Sequence, residues 1–172
     1  TDGYGGPLEN RARLLLEVVA AVVDEVGADR VGVRLTPMGR FMGMGDESPE
    51  ATFGYIVRSL NRWKLAYLHL VEPAVVGTVK DENFDPRWDA IIAQLRDAWG
   101  GVLMIAGGYD PESAERALAD GRADIIAFGR PFLANPDLPR RIREGLTLNA
   151  PDPSTFFGGD QRGYTDYPVY AH

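Results

Sequence analysis

The feature that most constrains the fold is a repeated alternation of short apolar runs with segments of helical spacing. Each of four runs rich in aliphatic and β-branched residues leads into such a segment, and each ends at a proline or glycine. Because the runs are apolar on both faces, they predict strands of a parallel sheet covered by helices. They are RVGVRLTP (30–37), LAYLHLVEP (65–73), GVLMIAGGYD (101–110) and ADIIAFGR (123–130).

A helical segment precedes the first predicted strand. In NRARLLLEVVAAVVDEVG, residues 10–27, the apolar spacing predicts one buried helical face. That face is predicted to comprise Leu15, Val18, Val19, Val22 and Val26.

Four further helices are predicted after the strands. They open at Ser48-Pro49, at Asp85-Pro86 and at Asp110-Pro111, and the last lies around Leu138 to Arg143. In the second of them, Trp88, Ile91, Ile92 and Leu95 share a face. Beyond Gly145 the periodicity stops, and a tail rich in proline, glycine and aromatic residues is predicted to form an ordered capping loop.

Two α/β architectures fit this order of elements. A flavodoxin-like doubly wound sheet has a suitable length, but it normally starts on a strand, whereas here a helix comes first. The alternative is half of a (β/α)8 TIM barrel, whose usual length is about 250 residues. The unpaired first helix favours the barrel, so we expect residues 1–172 to form one domain, the second half of a barrel with about four β/α units and a capping tail.

Composition excludes several classes of function. The formal charge of -7 argues against a nucleic-acid or anionic-membrane partner. The absence of cysteine excludes disulfides, thiolate metal sites and cysteine nucleophiles, and no metal site is predicted. No apolar run approaches the roughly 20 residues of a membrane helix, and the first residues do not resemble a signal peptide, so a soluble chain is expected, with the cytoplasm as its default location.

Arg34 is the first candidate site residue. Val31, Val33 and Leu35 alternate on one face of the first strand, so Arg34 projects from the other face together with Gly32. An arginine inside a sheet requires a partner. That partner is either an anionic or carbonyl-bearing ligand or a carboxylate on the neighbouring strand, and the residues alone leave both open.

The last two strands end in glycine-containing pairs, Gly107-Gly108 and Gly129-Arg130. Adjacent glycines let backbone N–H groups approach an oxyanion, and an arginine adds a charge-assisted fork. Barrels frequently bind phosphate with the loops after their last two strands. Either pair alone could be an ordinary strand-to-helix turn, but two in consecutive units favour a phosphate site.

Longer motifs carry a resemblance to a known family. The segments YGGPLENRARLLLEVVAAV, RVGVRLTPMGRF, AYLHLVEP, FGRPFLANPDLP and GYTDYP are similar to the C-terminal half of the Old Yellow Enzyme family. The likeness is greatest to its bacterial N-ethylmaleimide and xenobiotic reductase branch, and it runs from Tyr4 to Pro168.

The resemblance implies an FMN-dependent ene-reductase. It implies a (β/α)8 barrel that holds FMN, takes electrons from NAD(P)H and reduces activated alkenes, quinones or nitro compounds. By similarity, Gly107, Gly108, Gly129 and Arg130 bind the FMN phosphate, and Arg34 faces the flavin ring near its pyrimidine edge.

The resemblance also assigns the substrate pocket. Phe41 matches an aromatic residue at the mouth of the active site, although it could equally anchor its loop. Phe157 stands where relatives commonly carry a tyrosine, so it would offer an apolar wall without a hydroxyl. Val75 stands about where some relatives carry a tryptophan, which would widen the pocket.

The family's catalytic residues are not in this chain. The pair that binds the substrate carbonyl and the tyrosine that protonates the alkene precede TDGYGG in relatives, and Tyr4 does not replace that tyrosine. His69 is predicted to be a satisfied core residue, and His172 is terminal. An active site that lacks these residues should not catalyse efficiently, so the expected partner is the N-terminal half of the barrel.

Two alternatives to this reading remain. A half-barrel could associate with a second copy and bind phosphate without turnover, since open sheet edges favour pairing. The second alternative is a different phosphate-binding barrel enzyme that shares the last two loops, and the GYTDYP tail argues against it.

Overall fold

The computed structural model describes residues 2–72, 75–76, 79–80, 85–157 and 160–171. The chain divides into two compact units, Thr1–Ile126 and Ala127–His172. Each unit is described by itself below.

The first unit is built on a parallel sheet. The strands are β1 (Gly32–Leu35), β2 (Tyr67–Val71), β3 (Val75–Val76), β4 (Val79–Lys80), β5 (Leu103–Ala106) and β6 (Ile125–Ile126). Strands β1, β2, β5 and β6 are parallel and lie in that order, and β3 pairs with β4 in an antiparallel hairpin. The four predicted strands are therefore confirmed, whereas the hairpin was not predicted.

Helices follow the parallel strands, as the alternation predicted. They are α1 (Leu8–Val26), α2 (Pro49–Leu60), α3 (Trp88–Ala98), α4 (Pro111–Ala119), α5 (Arg130–Ala134) and α6 (Leu138–Glu144). The short helix α5 was not predicted separately. Four parallel strands in sequential order, each leading into a helix, are the units of half a (β/α)8 barrel, which confirms the predicted fold class.

The two faces of the sheet differ in character. One face carries the fully buried side chains of Leu68, Leu70, Leu103 and Ile105, which share a single core with the apolar faces of the helices. The predicted face of α3 is confirmed, because Trp88, Ile91, Ile92 and Leu95 are all buried there. The other face, called the inner face here, carries Gly32, Arg34, Tyr67, His69 and Met104.

The predicted buried face of α1 is partly wrong. Val19 is buried as expected, but Val18, Val22 and Val26 are 52%, 42% and 44% exposed. The side toward the core includes Ala12 and Val23 instead. Apolar residues cover more than half of the helix circumference, so periodicity alone could not choose the buried side.

The second unit is held by a polar network between its helices and its tail. The buried Asn135 donates to the Pro131 carbonyl over 2.8 Å and accepts from the Asn149 backbone N–H over 2.7 Å. The guanidinium of Arg141, only 3% exposed, donates to Asp137, to the Thr147 carbonyl and to the Pro168 carbonyl. The tail is thus an ordered part of this unit, as the sequence predicted.

No helix in the described part of the chain is long and apolar enough to cross a bilayer.

Candidate functional site

The inner face presents a cation, Arg34, whose side chain has no protein partner among the described residues. Arg34 projects from β1 on the exposed side of the strand, while Val33 and Leu35 are buried on the other, which confirms the predicted alternation. Its register partner on β2 is His69, which is not a carboxylate. Within the described residues the Arg34 side chain makes no ion pair or hydrogen bond, so the salt-bridge alternative is not observed there.

His69 is buried, but it is not satisfied as predicted. Its side chain is on the inner face opposite Arg34, with the residue 7% exposed. No hydrogen-bond partner for Nε2 exists among the residues that the structure describes. Burial, and after it the positive charge of Arg34, lowers the pKa of His69 below its usual value, so the imidazole is neutral near pH 7.

The Gly107-Gly108 pair follows β5 directly. A Cβ at position 107 would stand 2.5 Å from the Cβ of Glu72, so the close approach of Glu72 requires glycine at 107. Gly108 has φ +82°, a conformation that side chains other than glycine rarely adopt. The backbone after β5 therefore follows a path that two adjacent glycines make possible.

Glu72, at the end of β2, is the centre of a buried polar network. Its Oε1 accepts from Tyr109 Oη over 2.9 Å and from Arg122 Nε and an Arg122 terminal nitrogen over 3.1 and 2.9 Å. Arg122 also pairs with Asp89 over 2.9 Å. This network could not be predicted from the sequence, because its members lie on separate elements and Arg122 is 50 residues from Glu72.

The network shifts the pKa values of Tyr109 and Arg122, the two residues that donate to Glu72. Burial, reinforced by the negative charge of Glu72, raises the pKa of Tyr109. Burial alone would lower the pKa of Arg122, but the charge of Glu72 and the hydrogen bonds to it outweigh burial and raise that pKa. Tyr109 is thus a neutral donor and Arg122 a fixed cation, and both hold Glu72 against Gly107.

The N-terminus of α4 is satisfied by its own residues. Asp110 accepts from the Ser113 backbone N–H over 2.7 Å, and Ser113 Oγ accepts from the Asp110 backbone N–H over 3.0 Å. This capping box confirms the predicted helix start. An oxyanion near Gly107 and Gly108 would consequently meet loop backbone rather than an open helix terminus.

Gly129 and Arg130 belong to the second unit. Gly129 is exposed, and its carbonyl accepts from the backbone N–H groups of Phe132 and Leu133 in the first turn of α5. Outside its chain neighbours, no described heavy atom lies within 4 Å of where a Cβ of Gly129 would stand. The chain's own packing therefore gives no steric reason for glycine at this position. Arg130 is half-buried.

The two predicted pocket residues are exposed aromatic side chains. Phe41 lies in a short 3-10 helix, Phe41–Gly43, and is 48% exposed. Phe157, in the tail of the second unit, is 80% exposed. Such exposure of a large apolar side chain is compatible with a ligand-facing role, which stays a prediction for both residues. The side chain of Val75 and all of His172 lie outside the described residues.

Metal-ligating groups do not cluster in the described part of the chain, where no three His, Cys, Asp or Glu side chains could together hold an ion.

The chain matches a family model over residues 1–149, and that model describes the NADH:flavin oxidoreductase / NADH oxidase family. Among curated proteins it is 48% identical over 170 residues to putative 12-oxophytodienoate reductase 3 of Oryza sativa subsp. japonica. It is 44% identical over 171 residues to 12-oxophytodienoate reductase 2 of Arabidopsis thaliana. Each alignment covers 98% of this chain and 44% of the relative.

Solved structures match to the same extent. Morphinone reductase, whose structures include a complex with tetrahydroNAD, superposes with a TM-score of 0.88 at 48% identity. The old yellow enzyme from Trypanosoma cruzi superposes with the same TM-score at 33% identity. Both matches cover 99% of this chain and 44% of the solved chain. The chain therefore spans less than half the length of each of these four relatives.

Proposed function

Because the chain belongs to the NADH:flavin oxidoreductase / NADH oxidase family, we propose that it supplies half of an FMN-dependent NAD(P)H ene-reductase. The complete protein would reduce activated alkenes, quinones or nitro compounds. The family description names NADH and flavin, which agrees with the cofactors predicted by the resemblance to Old Yellow Enzyme. FMN, when bound, supplies the hydride transfer that connects NAD(P)H with the substrate.

The observation that carries this proposal is the unpartnered Arg34 on the inner face. Its guanidinium is exposed and has neither an ion pair nor a hydrogen bond within the described residues, so it is available to an acceptor on a ligand. The carbonyl-bearing edge of a flavin fits this requirement, and a nearby cation favours the reduced, anionic ring. We therefore assign Arg34 to the flavin ring, where its role is to bind and to stabilise negative charge.

The phosphate of FMN is assigned to the two glycine-containing pairs. Gly108 supports this because its positive φ lets the backbone approach a ligand that a side chain would obstruct. Gly129 supports it because no described atom would obstruct a side chain there, so packing within the chain does not explain the glycine. Loop N–H groups at Gly107, Gly108 and Gly129 would donate to phosphate oxygens, and Arg130 would contribute charge.

The substrate pocket is proposed to use the two exposed aromatic residues. Phe41 and Phe157 would provide apolar surfaces for a planar substrate, and the absent tyrosine hydroxyl at 157 would leave one hydrogen bond unmade. No catalytic residue is assigned to this chain. The groups that bind the substrate carbonyl and donate a proton would come from the remainder of the barrel.

The partner that completes the site is proposed from the surface of α1. Leu16 and Ala20 line a groove with Tyr55 of α2, and β1 is an edge strand among the described strands, so the opposite flank of α1 points away from α2. That flank carries an exposed apolar stripe formed by Leu14, Val18 and Val22. A strand that pairs with β1 and a helix that covers the stripe would satisfy both features. Because the relatives named above are more than twice as long, we assign this role to the remainder of the barrel.

A flavin titration of the complete protein tests the proposal. Purified protein is stripped of flavin, titrated with FMN, reduced with NAD(P)H without oxygen and reoxidised with an activated alkene. Arg34→Gln should weaken FMN binding and lower the flavin reduction potential, since one positive charge is lost. Arg143→Gln, which removes an exposed arginine of α6, is the matched control and should leave both quantities unchanged.

Other outcomes would contradict the proposal. Equal affinities and potentials for the two variants would remove the role of Arg34. A protein that binds inorganic phosphate but neither FMN nor NAD(P)H, and that forms a homodimer through the stripe on α1, would favour a self-associating module without turnover.

A further inference from the structure

His69 and Arg34 are two polar groups on the inner face that lack partners within the described residues. They occupy register positions directly opposite each other on the adjacent parallel strands β1 and β2, with their side chains on the same side of the sheet. Arg34 is exposed, whereas His69 is more than nine-tenths buried. Paired residues on neighbouring strands are close enough for their side chains to interact.

The chemistry of the two groups is complementary. Burial and the charge of Arg34 keep the imidazole neutral, and a neutral imidazole has one nitrogen that accepts a hydrogen bond. A guanidinium only donates. A buried acceptor without a partner is destabilising; Nε2 of His69 has no hydrogen-bond partner among the described residues, and Arg34 is the donor opposite it.

We infer that His69 is a positioning residue for Arg34, accepting through Nε2 a hydrogen bond from the Arg34 guanidinium once a flavin has fixed that side chain. The inference rests on the proposed function, in which Arg34 contacts the flavin ring. A free arginine side chain samples many rotamers. Holding it in one direction would reduce the entropy lost when the ligand binds.

Substitution distinguishes a histidine that only packs in the core from one that positions Arg34. Replacement by an apolar residue removes an unsatisfied nitrogen, so His69→Leu should leave the thermal stability of the flavin-free protein unchanged or raised. If His69 positions Arg34, the same variant should nevertheless weaken FMN binding. Stability and cofactor affinity should therefore respond differently to a single substitution.

A double-mutant cycle in the complete protein measures the coupling. FMN dissociation constants and midpoint potentials are determined for the unaltered protein, His69→Leu, Arg34→Gln and the combined variant. We expect His69→Leu to weaken FMN binding about tenfold, the equivalent of one hydrogen bond to a charged group, and to lower the midpoint potential. In the Arg34→Gln background the same substitution should have almost no further effect.

Two additional variants complete the design. His69→Gln keeps a side-chain acceptor and should restore most of the affinity. His69→Met is a second apolar replacement, which gives the same comparison if the leucine variant folds poorly. Additive losses from His69→Leu and Arg34→Gln, or an equal loss in His69→Gln, would overturn the inference while leaving the proposed function intact. Failure of the unaltered protein to bind FMN would overturn both.

Discussion

The substitution Glu72→Gln tests whether the buried network behind Gly107 stabilises the first unit. Glu72 is the acceptor of three hydrogen bonds, one from Tyr109 and two from Arg122. Glutamine keeps the shape and an acceptor oxygen but removes the charge. The loss of charge assistance costs about 1 kcal/mol for each bond, or about 3 kcal/mol in all.

Two features of the site reduce this value. The Arg122 side chain is 26% exposed, and it retains Asp89 as a second partner in the variant. Solvent screening and this second ion pair should offset about a third of the loss, so the expected destabilisation is about 2 kcal/mol. In a domain of about 150 to 250 residues that loss would lower Tm by about 4 to 8 °C, so the shift in a complete protein more than twice as long as this chain should be below about 4 °C.

Chemical and thermal unfolding of the complete protein provide the assay. Glu112→Gln is the matched control, because the Glu112 side chain is 85% exposed and pairs with Arg116 one helical turn away. Such an exposed pair contributes about 0.3 to 0.5 kcal/mol. Equal losses for the two variants would refute the reasoning, since the network around Glu72 would then stabilise no more than an exposed pair.

Three further predictions concern other parts of the chain. Arg141→Leu should destabilise by about 3 to 5 kcal/mol and expose the tail to proteolysis, because Asp137 loses its buried ion pair and the Thr147 carbonyl loses its donor, and a change as small as that of the exposed Arg143→Leu would contradict this. Asp110→Ala should cost about 1 kcal/mol by removing the capping acceptor of α4. Hydrogen bonds from Ser113 lower the pKa of Asp110, so the cap contributes fully above the ordinary pKa of about 4 and its contribution is lost as the pH falls through the lowered pKa. A stability difference between the unaltered protein and Asp110→Ala that does not shrink in acid would be inconsistent with the cap. Phe157→Tyr should leave stability unchanged and alter the affinity for carbonyl-bearing ligands, and identical ligand affinities would show that Phe157 is not in the pocket.

The sequence predicted the elements better than it predicted their contacts. Local periodicity identified the four parallel strands, the buried face of α3 and the cap of α4, because each depends on residues close together in the chain. The buried face of α1 was only partly right. Its Val18 and Val22 have the correct spacing but lie on the flank away from α2, and a pattern of apolar residues does not reveal which neighbour covers them.

Contacts between distant residues explain what the sequence could not show. Gly107 was interpreted as part of a phosphate site, yet its immediate steric reason is Glu72, a residue at the end of another strand that is distant in the chain. His69 was expected to be satisfied, but its register partner turned out to be an arginine without a partner of its own in the described part. Strand register follows from tertiary packing, so neither relation could be derived from spacing along the chain.

A native mass spectrum of the purified protein tests the central claim most directly, because it reports partner chains and bound flavin together. We predict a species in which each copy of this sequence is accompanied by the remainder of the barrel and by one FMN. A homodimer of this chain without flavin would contradict the account, since the inner face would then be closed by a second copy and Arg34 would have no cofactor to bind.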